Sequence, residues 1–198
     1  MFRHLIQSRI SLYCLRPIMK QFWIFGYGSL MWRPGFAFRR SEPALINGYH
    51  RRLCVYSHVH RGTPERPGLV LGLDRGGSCH GLAFEIAASD WEDTLTYLRA
   101  REQVTMVYLE KRTTARLLSS GQKIEAVTYV VDRHHRQYAG FLTEDAILSH
   151  VRQGEGVSGR CADYALSTLE HLREMNIYDK VLESLAVRLR DQAATSKS

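Results

Sequence analysis

"FWIFGYGSLMW", residues 22–32, sets a run of apolar and aromatic residues before a tight glycine-hydroxyl turn and a second hydrophobic cluster after it. A short apolar run that stops at glycines is typical of a buried strand followed by a turn. Two interpretations of the turn stand side by side. Either it only joins two core elements, or its backbone N–H groups form a nest that binds a small anion or a developing oxyanion.

The turn does not match the usual nucleotide or hydrolase motifs. Met31 occupies the third glycine position of G-x-G-x-x-G, and the chain has no G-x-x-x-x-G-K-[ST] sequence. Tyr27 and Met31 also stand where the G-x-S-x-G elbow around Ser29 would need glycines. Dinucleotide, nucleoside triphosphate and serine hydrolase functions are therefore disfavoured. Gly26 and Gly28 would still permit a positive φ and a close approach of ligand to the backbone.

The rest of the chain is rich in β-strand patterns first and in helical patterns later. We found no internal repeat and no domain linker, so the pattern predicts one α+β domain, a small curved mixed β-sheet or barrel with packed helices. The predicted strands are a strand or bent strand pair at 44–59, two strands within 69–86 around a hairpin at Asp74-Arg75-Gly76-Gly77, and strands at 106–118 and 122–132. The predicted helices are 89–102, 143–153, 161–176 and 178–192.

The first predicted helix has a recognisable start and one apolar face. Ser89 and Glu92 fit a capping box, and the helix should end near Gln103. Its apolar stripe consists of Trp91, Leu95 and Leu98.

The next position on this stripe is Glu102. Burial and the negative end of the helix dipole both disfavour its charged form, so its pKa should rise into the range useful for general acid/base catalysis. The alternative is a plain ion pair with a neighbouring arginine, for which Arg99, Arg101 and Arg112 are the candidates.

Composition and charge argue against several classes of partner. The formal net charge is +7, but Arg3, Arg9, Arg16 and Lys20 supply four of these charges within an acid-free segment. The other basic clusters lack interleaved aromatic residues, so we predict no nucleic-acid partner. No stretch approaches the ~20 apolar residues of a membrane span, so we also predict no membrane partner.

Metal and disulfide sites are not indicated either. His58-x-His60 is a conceivable metal pair, but no third ligand follows at a recognisable spacing, and a solvated strand end explains it as well. The four cysteines form no C-x-x-C pair, which suggests neither a zinc site nor a disulfide framework and suits a cytoplasmic location.

The termini are expected to differ from the domain. Residues 1–20 carry arginines and no acidic residue, and we expect an N-terminal extension. It has three interpretations: a flexible extension, a transit-like segment, or a start assigned too early with Met19 as the true start. Residues 21–192 are expected to form the single domain, and residues 193–198 a polar tail.

Several segments, in this order, resemble the ChaC-like γ-glutamylcyclotransferases, over about residues 22–185. "WIFGYGSLMWRPGF" resembles the family's Tyr-Gly-Ser-Leu signature, and "YLRARE" resembles the motif that holds its catalytic glutamate. "GYHRRL", "RGTPERPGLVLGL" and "DYALSTLEHLREMNIYD" are also similar to family segments. One departure is that Met106 and Val107 stand where many eukaryotic relatives have two glycines.

The resemblance implies a fold, a reaction and a set of site residues. It implies a γ-glutamylcyclotransferase-like fold and the intramolecular cyclisation of a γ-glutamyl substrate, glutathione in most of the family, to 5-oxoproline and Cys-Gly. Glu102 would be the general acid/base, and the reaction would need no metal or organic cofactor. The N–H groups of Gly28, Ser29 and Leu30 would hold the substrate α-carboxylate or the oxyanion. Tyr27, Arg52 and Tyr164 would orient the substrate.

Two other functions remain open at this point. The same fold could act on another γ-glutamyl amine or conjugate, or the turn could belong to a non-catalytic module that binds a small acid. The sequence gives no indication of the oligomeric state.

Overall fold

Five strands close into a barrel in the computed structural model of the protein, which describes residues 21–195. The extension predicted at residues 1–20 lies outside the described residues. The barrel order is β1-β3-β2-β4-β5, and a short parallel pairing of β1 with β5 closes it. The strands are β1 (Phe22–Gly26), β2 (Arg40–Ser57), β3 (Gly68–Ile86), β4 (Tyr108–Leu117) and β5 (Lys123–Val131).

Two long strands, β2 and β3, form most of the barrel wall. They pair antiparallel along nearly their whole length, with register shifts between Asn47 and Tyr49 and between Leu53 and Val55. Such bulges bend a strand and increase its twist, which lets a small sheet curve until its edges meet.

The hairpin predicted at residues 74–77 is wrong, because β3 runs through this segment as one strand. Gly76 and Gly77 have φ values of +100° and +68°, and Gly48 on the paired strand has +86°. The two strands therefore bend together instead of one strand reversing. The two glycines were a turn signal in the sequence, but the long partner β2 pairs with β3 on both sides of them.

Helix α1 (Trp91–Glu102) ends where the sequence predicted and begins differently. Its N-cap is Asp90, with no side-chain capping bond, so the predicted capping box is wrong. Ser89 lies in a preceding 3-10 turn and its hydroxyl donates to Asp90 Oδ1 at 2.8 Å. The apolar stripe prediction is confirmed, since Trp91, Leu95 and Leu98 are all buried.

Three more helices cover the barrel. They are α2 (Glu144–Gln153), α3 (Cys161–Glu174) and α4 (Lys180–Thr195), with a small hairpin of β6 (Glu155–Gly156) and β7 (Gly159–Arg160) between the first two. Buried residues of these helices join the barrel residues in one hydrophobic cluster, for example Val151, Leu169 and Leu185 with Leu53 and Leu73. The predicted α+β barrel with packed helices is confirmed. None of the helices within residues 21–195 is long and apolar enough to cross a membrane.

Candidate active site

A cavity of about 740 Å³ opens where the turn after β1 meets the end of α1. Its wall is completed by β3, by the start of β4 and by α3. Six of the seven residues that the sequence singled out line it: Tyr27, Gly28, Ser29, Leu30, Glu102 and Tyr164. Segments far apart in the chain thus converge on one cavity. Its volume is in the range of small-molecule binding sites, so a ligand the size of a tripeptide would fit.

The turn after β1 is tightened by a short 3-10 segment, Ser29–Met31. Met31 N–H donates to Gly28 O at 2.9 Å, and Arg33 N–H donates to Ser29 O at 2.8 Å. The N–H groups at the start of such a segment have no partner within it, so they are available to a ligand.

The sequence suggested that Gly26 and Gly28 allow a positive φ in the turn. Neither glycine has a positive φ in the structure. A Cβ at Gly26 would lie 3.1 Å from Leu30 Cβ, so packing favours glycine there. A Cβ at Gly28 would meet only Leu71, at 3.6 Å. Packing within the protein does not demand glycine at position 28, and its backbone lies in an unusual region, with φ of −135° and ψ of −134°.

Glu102 is the last residue of α1, and its side chain lines the cavity with 18% of its surface exposed. Burial raises its pKa above the usual carboxyl value, and the nearby Arg101 only partly opposes that shift. Arg101 Nε lies 3.3 Å from Glu102 Oε1. Both expectations from the sequence therefore apply: the carboxyl faces the protein interior and it also has an arginine beside it. Arg99 and Arg112 pair elsewhere, with Glu110 and Glu125.

Arg101 ties the end of α1 to the turn after β1, a link that sequence analysis missed. Its Nη2 donates to Ser29 Oγ at 3.0 Å, and its Nη1 donates to Arg33 O at 2.7 Å and to Tyr97 Oη at 3.0 Å. The acid and the turn are thereby held at a fixed separation. The sequence places Arg101 beside Glu102 as an ion-pair candidate, but no pattern in it indicates that the guanidinium also contacts the turn.

Three tyrosines line the cavity beside the acid: Tyr27 is buried, and Tyr108 and Tyr164 are partly buried. Tyr108 Oη donates to Leu71 O at 2.6 Å, and Leu71 N–H donates to Tyr164 Oη at 3.3 Å. Burial raises the pKa of Tyr164 to about 12 and those of Tyr27 and Tyr108 well above the ordinary phenol value. The hydroxyls therefore stay neutral and can act as hydrogen-bond donors. Tyr108 was not singled out from the sequence.

The structure does not bring Arg52 to this cavity. Its Nη1 lies 3.5 Å from Asp74 Oδ2, and its guanidinium carbon lies 4.4 Å from the centre of the Phe141 ring. It lines a second cavity of about 420 Å³, on the other side of Leu71. The neighbouring Arg51 is the residue that contacts the turn, because its Nε donates to Tyr27 O at 2.5 Å.

Arg61 also lines the cavity, from the loop before β3. Its Nη1 donates to Ser158 O at 2.5 Å, and its guanidinium carbon lies 5.3 Å from the Tyr164 ring centre. Within residues 21–195, no carboxylate lies within 4.0 Å of it. An arginine with no acidic partner can pair with a ligand carboxylate.

His58 and His60 lie in the same loop. His60 Nδ1 lies 2.9 Å from Ser158 Oγ, and no group of three metal-ligating side chains forms in the part of the chain that the structure describes.

Comparison with known proteins gives a consistent result. A family model described as ChaC-like protein matches residues 22–192. The glutathione-specific gamma-glutamylcyclotransferase of Escherichia coli K12 is 33% identical over 176 residues, which span 88% of this chain and 75% of the relative. The glutathione-specific gamma-glutamylcyclotransferase 1 of Danio rerio is 36% identical over 154 residues, which span 76% of this chain and 79% of the relative.

A solved structure supports the fold. The crystal structure of a yeast gamma-glutamyl cyclotransferase specific to glutathione superposes with a TM-score of 0.76 at 21% identity, covering 87% of this chain and 99% of that one.

Proposed function

This chain belongs to the ChaC-like protein family, and from that premise we propose that it cyclises the γ-glutamyl group of glutathione, releasing 5-oxoproline and Cys-Gly. One observation carries the proposal: a carboxyl with a raised pKa lines the same cavity as a glycine-built turn. Relatives that span most of the chain are named for this activity.

The reaction needs a base first and an acid afterwards. The substrate α-amine has a reference pKa of about 7.7–8.0 and is mostly protonated at neutral pH. Glu102 as carboxylate accepts one proton from it, and the freed amine nitrogen attacks the γ-carbonyl carbon to close a five-membered ring. As the bond to the cysteine nitrogen breaks, Glu102 returns that proton to the leaving nitrogen. The ring nitrogen, still carrying two protons after the attack, loses one of them, and the released Cys-Gly amine takes up a proton to leave as an ammonium group. Its raised pKa brings the two protonation states closer in energy at neutral pH.

The turn supplies the complementary charge stabilisation. In the attack, the γ-carbonyl oxygen becomes an oxyanion, and the N–H groups of Gly28, Ser29 and Leu30 are the candidate donors to it or to the substrate α-carboxylate. Removing one oxyanion donor typically costs roughly 2.7–4 kcal/mol of transition-state stabilisation. Because the ring closure is intramolecular, holding a reactive conformer supplies much of the remaining acceleration.

The rest of the cavity would orient the substrate. Tyr27 and Tyr164 offer neutral hydroxyls, and Arg61 is a candidate partner for the glycine carboxylate at the far end of glutathione. The proposed reaction draws on no metal or organic cofactor. A cytoplasmic location is part of the proposal, and the unpaired thiols of Cys54, Cys79 and Cys161 support it.

The test is product formation by the purified full-length chain. We expect equal amounts of 5-oxoproline and Cys-Gly from glutathione, and at least about a 100-fold lower rate for Glu102→Gln, because general acid/base catalysis contributes at least that much. Glu110→Gln is the matched control, since Glu110 is similarly half-buried but does not line the cavity.

Two results would change the conclusion. Near wild-type turnover by Glu102→Gln would exclude Glu102 as the acid/base. Wild-type protein that binds glutathione without consuming it would indicate a binding module, and turnover confined to other γ-glutamyl compounds in a substrate panel would indicate a different substrate.

A further inference from the structure

Arg51 is a buried arginine whose contacts meet at the backbone of the turn. Its side chain is only 5% exposed. Its Nε donates to Tyr27 O at 2.5 Å, its Nη2 donates to His80 O at 2.6 Å, and its Nη1 lies 3.8 Å from Asp179 Oδ2. The fixed fork of a guanidinium can satisfy three acceptors in set directions, which a flexible ammonium group cannot do.

The bond to Tyr27 O determines where the next N–H group points. The carbonyl of Tyr27 and the N–H of Gly28 belong to one peptide unit, which is trans, as are all peptide bonds of the described residues. In a trans peptide, the C=O and N–H bonds point in opposite directions. A group that holds the carbonyl therefore also aims the amide hydrogen.

The residues at the two ends of this peptide line different cavities. Arg51 lines the smaller cavity and not the one that contains Glu102. Gly28 lines the cavity that contains Glu102. The carbonyl of Tyr27 is bonded to a residue outside the Glu102 cavity, and we take the opposed N–H of Gly28 to face that cavity.

We propose that Arg51 is a positioning residue that holds the Gly28 N–H in place to stabilise the oxyanion formed during cyclisation. The inference rests on the proposed function. A hydrogen bond to a carbonyl also polarises its peptide unit, so the bond from Arg51 makes the Gly28 N–H a stronger donor. Arg51 itself does not touch the substrate.

Asp179 extends this support to the helical layer. It lies between α3 and α4, and its Oδ1 accepts from Leu182 N–H at 3.2 Å at the start of α4. Through Arg51, the packing of the C-terminal helices is connected to the turn that follows the first strand.

The experiment compares kcat and KM of Arg51→Gln and Arg51→Lys with those of the wild type. We expect Arg51→Gln to lower kcat about 100-fold, the lower end of the effect of losing one oxyanion donor, with KM nearly unchanged. Arg51→Lys should recover part of the loss, because it restores one charged donor. Arg133→Gln is the control, since Arg133 also binds a carboxylate and a backbone carbonyl, at Asp74 and Arg75, away from the turn.

The outcomes separate the inference from the proposed function. A wild type without activity refutes the proposed function. An active wild type whose folded Arg51→Gln variant keeps kcat within twofold, or changes only KM, refutes the role of Arg51. If the Arg51 variants do not fold, Asp179→Asn decides the matter, because asparagine keeps the helix cap and removes the charge that holds Arg51. A smaller fall in kcat is then expected, and an unchanged kcat refutes the role.

Discussion

The carboxyl groups of Asp74 and Glu102 both lie largely out of contact with solvent, and their surroundings shift their pKa values in opposite directions. Burial acts to raise the pKa of Asp74, but donors from Arg133, Tyr138 and the Arg75 N–H outweigh it and hold the pKa below the usual value. At Glu102 the effect of burial is larger than the opposing effect of Arg101, so its pKa rises. A carboxyl that is buried without enough donors costs stability, which is typical of a functional site.

The first prediction at the residue scale concerns the stability of Glu102→Gln. A pKa raised by folding contributes stability that is present below the unfolded-state pKa and is lost as the pH rises through the folded-state value. At pH 7 the charged Glu102 therefore destabilises the fold, and Glu102→Gln should unfold at a higher temperature than the wild type. The gap should shrink as the pH is lowered towards 4. Thermal unfolding followed by circular dichroism measures this, and equal midpoints at pH 7 would contradict it.

At the scale of elements, the connection between α1 and β4 carries local strain. Met106 has a φ of +61°, in the left-handed region, and the residue is 57% exposed. Its N–H donates to Gln103 O at 3.2 Å, which closes the turn directly after the catalytic candidate. Residues with a Cβ pay about 1–2 kcal/mol for this conformation.

Met106→Gly should therefore stabilise the protein. The relief of strain exceeds the roughly 0.5–1 kcal/mol of chain entropy that glycine costs, so the net gain should be up to about 1 kcal/mol. For a domain of this size that corresponds to a rise of about 2–4 °C in Tm. Met106→Ala keeps the Cβ and should show no gain, so a similar rise in Tm for both variants would refute the explanation.

At the scale of the whole molecule, the closed barrel and its helical cover bury three thiols in different elements. Cys54 lies on β2, Cys79 on β3 and Cys161 at the start of α3, and all three are unpaired and buried. Burial raises their pKa values, that of Cys54 to about 12, so the reactive thiolate is scarce in the folded state.

Alkylation should consequently report global unfolding. In a Cys14→Ser variant, which leaves only these three thiols, we expect iodoacetamide to label the folded protein at a rate that follows the unfolded population as urea is added. Mass spectrometry counts the labelled sites. Rapid labelling of one cysteine without denaturant would show that its element opens locally.

The sequence by itself determined the elements whose pattern is local. The stripe Trp91, Leu95 and Leu98 predicted both the helix and the inward direction of Glu102, because a periodic apolar face fixes where the next position points. The apolar run before Gly26 likewise predicted β1. The substrate class came from the resemblance to a family, since no periodicity encodes a substrate.

Only the tertiary structure decided what depends on distant partners. Gly76 and Gly77 bend β3 instead of reversing it because β2 continues beside both halves, and a strand signal does not specify the length of its partner. The turn is held by Arg51 and not by Arg52, since the carbonyl of Tyr27, 24 residues away in sequence, lies within reach of only one of them. Contacts of this kind depend on how the closed barrel brings separate strands together, and neighbouring residues in the sequence do not encode them.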